Sequence, residues 1–349
     1  MKILIIQMKM IGDVLTSSIL FEALREKYPE AELHYLVFEH TLPIVENNPF
    51  IDYVIVYKKD QRFSELAKNI RAQKYNVVID VLSNLKTAML TGISGAKIKV
   101  SYDKFYTRRV STHVFSRNIQ AKTIAGSAIE KRLRMLSPLS PDFPTEIKPK
   151  IYLTETEIEK AKATLTASEI DLNKTIYMIG ALGSNHKKTY PLPYFAKLLD
   201  QIVGSTKAEL LFNYMPSQRG EIEKLFDLCQ PGTQQHIHLN IYGKNLREFL
   251  ALTYHCDALI GNEGGGVNMA KALNVPSFAI FAPPLNKSNW NMYEDGNKNV
   301  SVHLKDYKPK LFEVKPEKQL KKEWEPFYQK FLPELIENDL HQFLKNNSK

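Results

Sequence analysis

The sequence predicts an α/β protein built from two doubly wound, Rossmann-like domains. Three observations lead to this prediction. Short continuous apolar runs alternate with amphipathic helical patterns, a proline-rich stretch interrupts them, and the alternation then resumes. Continuous apolar strands between amphipathic helices are typical of a parallel sheet that helices cover on both faces. The 349 residues are enough for two domains of ordinary size.

The first half of the chain predicts four strands and two helices. The strands are expected at residues 3–6, 33–38, 54–57 and 77–81, and the helices at residues 14–27 and 63–72. Residues 137–150 carry four prolines and no extended apolar run, which is the composition of a linker.

The second half repeats the alternation without repeating the sequence. Strands are expected at residues 175–179, 209–213, 258–260 and 277–281, and helices at residues 193–203, 219–228, 246–254 and 267–273. We therefore predict a first domain over residues 1–150, a second over 151–304, and C-terminal helices over 305–349 that pack on the domains. Two such domains are expected to hold a ligand in a cleft between the carboxyl ends of their sheets.

The composition is that of a soluble globular protein, with 44% hydrophobic and 24% charged residues. The two cysteines form no metal-ligand spacing and are too few for a disulfide framework, which fits a reducing compartment. We find no secretory signal and no apolar run of membrane-spanning length. A cytoplasmic location is therefore expected.

The positive charge is concentrated in one part of the chain. The net charge is +9, and the stretch from Lys97 to Arg134, here called the basic segment, contains ten basic and two acidic residues. Such a segment favours an anionic partner, which could be a phosphate group, an acidic membrane surface or a nucleic acid. A solvated surface whose charges are paired elsewhere in the fold explains it equally well.

The loop after the first predicted strand carries the first candidate functional residue. In QMKMIGDVLTSS, residues 7–18, Gly12 and Asp13 lie where a buried strand passes into a helix. Aspartate is common at helix N-caps for purely structural reasons. A carboxylate at a strand end can also act as a general base. Position alone leaves both interpretations open.

Two loops of the second half could bind an anion. GALGSNHKKTYP, residues 180–191, offers small residues, a hydroxyl and lysines before a helix, although it is not a phosphate-loop motif and an ordinary polar loop fits as well. IGNEGGGVNMAKALNVP, residues 260–276, places three glycines between a strand and a helix. They permit close backbone approach and leave helix N–H groups free for an anion, and a tight turn, which is the alternative, rarely needs three glycines. Glu263 beside them could accept hydrogen bonds from sugar hydroxyls.

Taken together, the three loops resemble glycosyltransferase family 9, the lipopolysaccharide heptosyltransferase family. KILIIQMKMIGDVLTSSILFEALREKYPEAELHYLV is similar to the N-terminal signature of that family, and KKTYP and GNEGGGVNMAKALNVPSFAIFAPP fall where it has donor-binding segments. The resemblance covers about residues 1–290. It implies a GT-B fold, in which two Rossmann-like domains face a central cleft. It also implies inverting, metal-independent transfer from a nucleotide-diphosphate sugar, typically ADP-heptose, to a lipopolysaccharide core or related glycolipid.

The resemblance assigns roles to individual residues. Asp13 matches the proposed base, and Gly12 beside it falls on the acceptor side. Lys188 matches the lysine that contacts the donor diphosphate, in KTYP where the family has K-x-W-P. Ser184 falls on a hydroxyl position of the same loop. Gln218 falls where the family often has a glutamate near the ribose.

Three donor-side positions depart from the family pattern, whose Asp-[ST]-Gly...His reads here as Glu263, Gly264, Gly265 and Asn268. These four residues are still expected to face the donor, although the change puts the donor sugar in question. No cofactor is implied. The chain also contains no Asp-x-Asp pair to hold a metal, so lysine and helix dipoles would have to stabilise the departing diphosphate.

The basic segment lies in the half that binds the acceptor in this family. A phosphorylated glycolipid at the inner face of the cytoplasmic membrane would suit it, with peripheral membrane association. Arg108 and Arg109 are the expected phosphate contacts, since arginine binds phosphate bidentately. One alternative is a catalytically inactive nucleotide-sugar-binding protein of the same fold. Another is a nucleic-acid-binding module, but no nucleic-acid-binding motif accompanies the segment, and we expect no such partner.

Overall fold

A computed structural model describes residues 1–313 and 324–349. The chain forms two compact units, Met1–Tyr152 with Ser288–Met292, and Leu153–Lys287 with Tyr293–Lys349. The short stretch Ser288–Met292 thus belongs with the first unit, which the sequence pattern does not indicate. Part of the predicted C-terminal helical region, residues 314–323, lies outside the described residues.

The first unit contains a parallel sheet of six strands within the described residues. The strands are β1 (Lys2–Ile6), β2 (Glu32–Phe38), β3 (Tyr53–Tyr57), β4 (Val77–Asp80), β5 (Ile98–Tyr102) and β6 (His113–Phe115). Their order is β3-β2-β1-β4-β5-β6, so the direction of winding reverses between β1 and β4. In doubly wound sheets, ligands bind at the carboxyl ends of the strands at this reversal, which is called the switch point.

Helices cover the first sheet. They are α1 (Ile11–Ser17), α2 (Ile19–Lys27), α3 (Phe63–Ala72), α4 (Leu85–Ile93) and α5 (Ser127–Leu133), with 3₁₀ turns at Glu39–Ile44, Thr107–Arg109 and Arg134–Leu136. The prediction of a single helix over residues 14–27 is wrong. The helical stretch begins earlier, at Ile11, and is divided at Ser18. The hydroxyls of Ser17 and Ser18 donate to the carbonyls of Asp13 and Leu15, and such bonds from serine back to the helix backbone bend helices.

The second unit repeats the architecture with a second parallel sheet, again of six strands in the described part of the chain. The strands are β7 (Ile176–Gly180), β8 (Glu209–Phe212), β9 (Ile237–His238), β10 (Ala258–Asn262), β11 (Ser277–Phe281) and β12 (Asn299–His303). Their order is β12-β11-β10-β7-β8-β9, so the switch point lies between β7 and β10. A side chain at Gly261 would come within 2.2 Å of the Gly180 carbonyl oxygen, so these two strands require a glycine there. The prediction of two doubly wound α/β domains is confirmed.

The helices of the second unit include two that the sequence analysis missed. They are α6 (Glu155–Ala167), α7 (Leu192–Thr206), α8 (Arg219–Leu228), α9 (Pro231–Gln234), α10 (Leu246–Tyr254), α11 (Gly265–Ala272), α12 (Leu304–Tyr307), α13 (Lys310–Glu313), α14 (Glu325–Tyr328) and α15 (Glu337–Asn346), with 3₁₀ turns at His186–Lys188, Pro216–Gln218, Lys287–Asn289 and Pro333–Leu335. The missed helices are α6, whose capping box of Thr154 and Glu157 is visible in the sequence, and α9, which has only four residues.

The C-terminal helices belong to the core of the second unit. Phe331, Leu340 and Phe343 are fully buried there, and the ring of Phe343 packs on that of Phe278 with centroids 5.5 Å apart. No helix in residues 1–313 or 324–349 is both long enough and apolar enough to cross a membrane.

Candidate active site

Asp13 lies at the switch point of the first sheet, in the first turn of α1. The N-cap of α1 is Met10, because the helix begins at Ile11, two residues before Asp13. The interpretation of Asp13 as a helix cap is therefore wrong. One carboxylate oxygen, Oδ1, instead accepts a hydrogen bond from Nη2 of Arg132 over 2.6 Å. The Asp13 side chain remains 28% exposed.

The surroundings of Asp13 are cationic. Arg132 is buried, and its neighbour Lys131 is half-buried, with its ammonium group 6.0 Å from the centre of the Trp290 ring. Burial and the nearby Arg132 charge lower the pKa of Lys131 to about 8. The guanidinium of Arg117 lies over the Tyr102 ring at 4.5 Å. The basic segment thus contributes partly buried charges near the candidate base, in addition to an exposed surface.

Asp80 ends β4, on the other side of this switch point, and the sequence analysis did not single it out. It is fully buried, and its Oδ1 accepts a hydrogen bond from the backbone N–H of Ser83 over 2.7 Å. The second oxygen, Oδ2, is buried without a hydrogen-bond partner in the described residues. Burial raises the pKa of Asp80 to about 7.

The two arginines expected to bind phosphate lie in the 3₁₀ turn after β5. Arg108 is exposed and donates from Nε and Nη2 to both carboxylate oxygens of Asp103 over 2.5 and 2.7 Å, so its fork already holds an anion. Arg109 stacks on the exposed ring of Phe105 at 4.3 Å. Both follow β5, which lies two strands away from β1 in the sheet. Since neighbouring strands are about 4.8 Å apart, this turn lies roughly 10 Å from the end of β1.

In the second unit, the structure brings together two of the predicted donor-site residues. Nζ of Lys188, in the loop after β7, lies 3.6 Å from Oε2 of Glu263, in the loop after β10. This is ion-pair contact beyond hydrogen-bonding distance. Glu263 is largely buried, and its burial raises the pKa of the carboxyl group, while the Lys188 charge opposes the rise. The pair lies at the switch point of the second sheet.

Asn262, which the sequence analysis did not single out, joins these two loops. It is buried at the end of β10, its Oδ1 accepts from the Tyr190 backbone N–H over 2.7 Å, and its Nδ2 donates to the Ala181 carbonyl over 2.6 Å. Tyr190, which takes the place of the family tryptophan, is fully buried and donates from its hydroxyl to the Phe331 carbonyl over 2.7 Å. These contacts fix the loop that carries Lys188.

The glycine run forms the start of α11. Gly264 is the N-cap, with extended backbone, and a side chain there would touch none of the described residues within 4 Å. At Gly265 an added Cβ would lie 3.8 Å from Met269, which is ordinary contact. The packing of the protein itself therefore does not demand glycine at either position. In the described residues, the N–H groups of the first helical turn have no acceptor, and the Asn268 side chain has no hydrogen-bond partner.

Of the other two predicted donor-site residues, one shares the loop of Lys188 and one lies in the loop after β8. Ser184 is exposed in the loop after β7. Gln218 follows β8, and its side-chain oxygen accepts from the Met215 backbone N–H over 3.0 Å, so it closes its own turn. In residues 1–313 and 324–349, no three His, Cys, Asp or Glu side chains form a group that could hold a metal ion.

Comparison with known proteins identifies the family. The sequence profile of glycosyltransferase family 9 (heptosyltransferase) matches residues 63–321. The chain is also 24% identical over 321 residues to lipopolysaccharide heptosyltransferase 1 of Campylobacter coli, an alignment that covers 86% of this chain and 91% of that protein.

Solved structures agree on the fold. The chain superimposes on a family 9 glycosyltransferase from Veillonella parvula with a TM-score of 0.73 at 19% identity, covering 94% of this chain and 97% of the other. It superimposes equally well, at 0.73 and 15% identity, on Escherichia coli ADP-heptose lipopolysaccharide heptosyltransferase II, covering 99% of each chain. The GT-B fold that the resemblance implies is thus confirmed. Since the profile matches well over half of the chain, the protein belongs to glycosyltransferase family 9 and is a glycosyltransferase.

Proposed function

We propose that the protein transfers a heptose from ADP-heptose to a lipopolysaccharide core or related glycolipid, with inversion and without a metal ion. The observation that carries the proposal is the uncrowded switch point of the second sheet. There, Lys188 contacts Glu263 just before α11. Among the described residues, the N–H groups of the first turn of α11 have no acceptor, and a side chain at Gly264 would touch nothing within 4 Å. The family 9 relatives with heptosyltransferase names support heptose as the sugar.

The second unit would bind the donor. A diphosphate brings two acidic groups, and Lys188 together with the free N–H groups of α11 would hold them. The missing side chains at Gly264 and Gly265 would let the phosphates reach the backbone. Glu263 would then exchange its ion pair for hydrogen bonds from a sugar or ribose hydroxyl. Asn268 would offer an amide where the family has an imidazole.

The first unit would bind the acceptor and supply the base. Oδ2 of Asp13, which has no hydrogen-bond donor among the described residues, would accept the proton of the attacking hydroxyl while the hydroxyl oxygen forms the new bond to the anomeric carbon. The bond from that carbon to the diphosphate oxygen breaks at the same time, and its electron pair leaves with ADP. A single displacement of this kind inverts the anomeric centre. Lys188 and the α11 dipole would stabilise the charge that develops on ADP, which is the role a metal plays in other transferases.

The basic segment would bind the phosphorylated part of the acceptor. Arg109 is exposed and has no carboxylate partner in the described residues, whereas Arg108 would have to release Asp103 to bind phosphate. Anionic lipids attract such a surface. We therefore propose that the protein works at the inner face of the cytoplasmic membrane, held peripherally by this segment.

Calorimetric titration with nucleotides and nucleotide sugars tests the donor assignment. We expect ADP and ADP-heptose to bind more tightly than GDP and UDP species. We also expect Lys188→Ala to weaken ADP binding at least tenfold, because the variant loses a charge-assisted contact to the diphosphate. Lys187→Ala is the matched control, since Lys187 is an exposed neighbour outside the Glu263 pair.

The outcomes separate the alternatives. Tighter binding of another nucleotide would replace the donor but keep the reaction class. Binding of ADP-heptose without turnover on any phosphorylated glycolipid would favour the inactive binding protein. If none of the nucleotides binds, the proposed function is wrong.

A further inference from the structure

The contact between Asp13 and Arg132 joins two residues that are 119 positions apart in the sequence. Arg132 lies in α5, and only 3% of its side chain is exposed, whereas Asp13 is 28% exposed. A buried arginine is stable only when its charge and its N–H groups find partners. The contacts of this side chain therefore decide how the candidate base is held.

Three acceptors fix the Arg132 guanidinium. Besides Asp13, the Ser17 hydroxyl oxygen accepts from Nε over 2.9 Å, and the Ala128 carbonyl accepts from Nη1 over 2.6 Å. The acceptors come from two different helices, α1 and α5. Since the guanidinium is planar and rigid, these contacts fix both its position and the direction of its bond to Asp13.

The two oxygens of Asp13 consequently differ. Oδ1 is occupied by Arg132, while Oδ2 has no hydrogen-bond donor in the described residues. A carboxylate held at one oxygen cannot rotate freely about its terminal bond. The unoccupied oxygen is then presented in one orientation.

We infer that Arg132 is the positioning residue for the base, holding Asp13 so that Oδ2 faces the attacking hydroxyl. The inference rests on the proposed function, because it presumes that Asp13 is the base. Arg132 does not touch the substrate itself. A misplacement of about 1 Å in such a group can cost on the order of a hundredfold in rate, so the contact should appear in kcat.

Steady-state kinetics and donor titration of Arg132→Met and Arg132→Lys test this role. We expect Arg132→Met to lower kcat about 30- to 100-fold, while the dissociation constant of ADP changes less than twofold. Arg132→Lys keeps the positive charge but loses the planar guanidinium with its several donors, so its kcat should lie between those of the wild type and Arg132→Met. Adding free guanidinium to the Arg132→Ala variant should raise its kcat several-fold.

Arg25 offers a matched control in the same unit. Like Arg132, it has three acceptors, one of them a carboxylate, but its other two are carbonyls: its guanidinium donates to Asp52 and to the carbonyls of Pro29 and Ala31. Arg25→Met should lower the thermal midpoint and leave kcat unchanged. If Arg132→Met does not fold, Ser17→Ala serves instead. It removes the acceptor of Nε, and we expect it to lower kcat about three- to tenfold.

A double-mutant cycle with Asp13→Asn separates the possible failures. If Arg132 acts through Asp13, Arg132→Met should cost little further activity in the Asp13→Asn background. If Arg132→Met lowers kcat by the same factor in the wild type and in Asp13→Asn, the positioning role is wrong. The same holds if a folded Arg132→Met variant keeps full kcat, and neither result bears on the proposed base. Full transfer activity in Asp13→Asn would overturn the proposed base.

Discussion

In the part of the chain that the structure describes, a side chain added at Gly264 would touch nothing within 4 Å, and the backbone there is extended. We predict that Gly264→Ala changes the free energy of unfolding by no more than about 1 kcal/mol, since only the N-cap preference is affected. The same substitution should weaken ADP binding about tenfold or more, because the added methyl group occupies the space proposed for the diphosphate. Urea unfolding and calorimetry measure the two effects.

The matched control for Gly264→Ala is Gly261→Ala. Its Cβ would lie 2.2 Å from the Gly180 carbonyl oxygen, so the strands must separate. A loss of roughly 1–3 kcal/mol or more in the free energy of unfolding is expected there. Unchanged ADP affinity in a folded Gly264→Ala variant would contradict the placement of the diphosphate.

At the scale of elements, one side chain connects the ends of two strands. Asn262 at the end of β10 holds the loop after β7 through Tyr190 and Ala181. Lys188 lies in that loop, so its position depends on a residue 74 places later in the chain. The switch point thus acts as a single assembly of two loops rather than as two separate motifs.

We predict that Asn262→Ala weakens ADP binding at least fivefold and lowers the free energy of unfolding by about 2–3 kcal/mol. The substitution leaves the buried N–H of Tyr190 without its acceptor, and unsatisfied buried groups cost about 1–3 kcal/mol each. Asn299→Ala is the control. Asn299 is buried at the start of β12 and accepts from the Ser277 hydroxyl, so its loss should cost stability but spare ADP binding. Equal ADP affinity in both variants would show that Asn262 does not order the donor loop.

At the scale of the whole molecule, one buried carboxyl group makes stability depend on pH. The pKa of Asp80 is raised by burial to about 7 in the folded protein and returns to about 3.8 on unfolding. Between these values the folded protein binds more protons than the unfolded chain. The contribution of this group to the free energy of unfolding is therefore complete below pH 3.8 and is lost as the pH rises to 7.

We predict that the free energy of unfolding of the wild type falls by roughly 2–3 kcal/mol more than that of Asp80→Asn between pH 5 and pH 8. Each pH unit between the two pKa values costs about 1.4 kcal/mol. The amide oxygen of asparagine can still accept from the Ser83 backbone N–H. Urea unfolding of both proteins at the two pH values measures the difference. Parallel pH dependence in the two proteins would mean that Asp80 stays ionised in the folded protein.

Much of the fold follows from local pattern. The limits predicted for α3, α8, α10 and β11 match the structure, because their apolar spacing changes sharply at both ends. β5 was missed because Lys99 interrupts its apolar run, and β6 was missed because it has only three residues. β9 has only two residues, too few for any periodicity.

The sequence by itself determined the two doubly wound sheets, the loops that carry Asp13, Lys188 and Glu263, and the family. These features depend on residue types and on spacings within about twenty positions. Only the tertiary structure decided what these residues touch. It paired Asp13 with Arg132 instead of with the helix N-terminus, brought Lys188 to Glu263, and inserted Asn262 between two loops. Such contacts join distant parts of the chain through packing, and no local pattern encodes them.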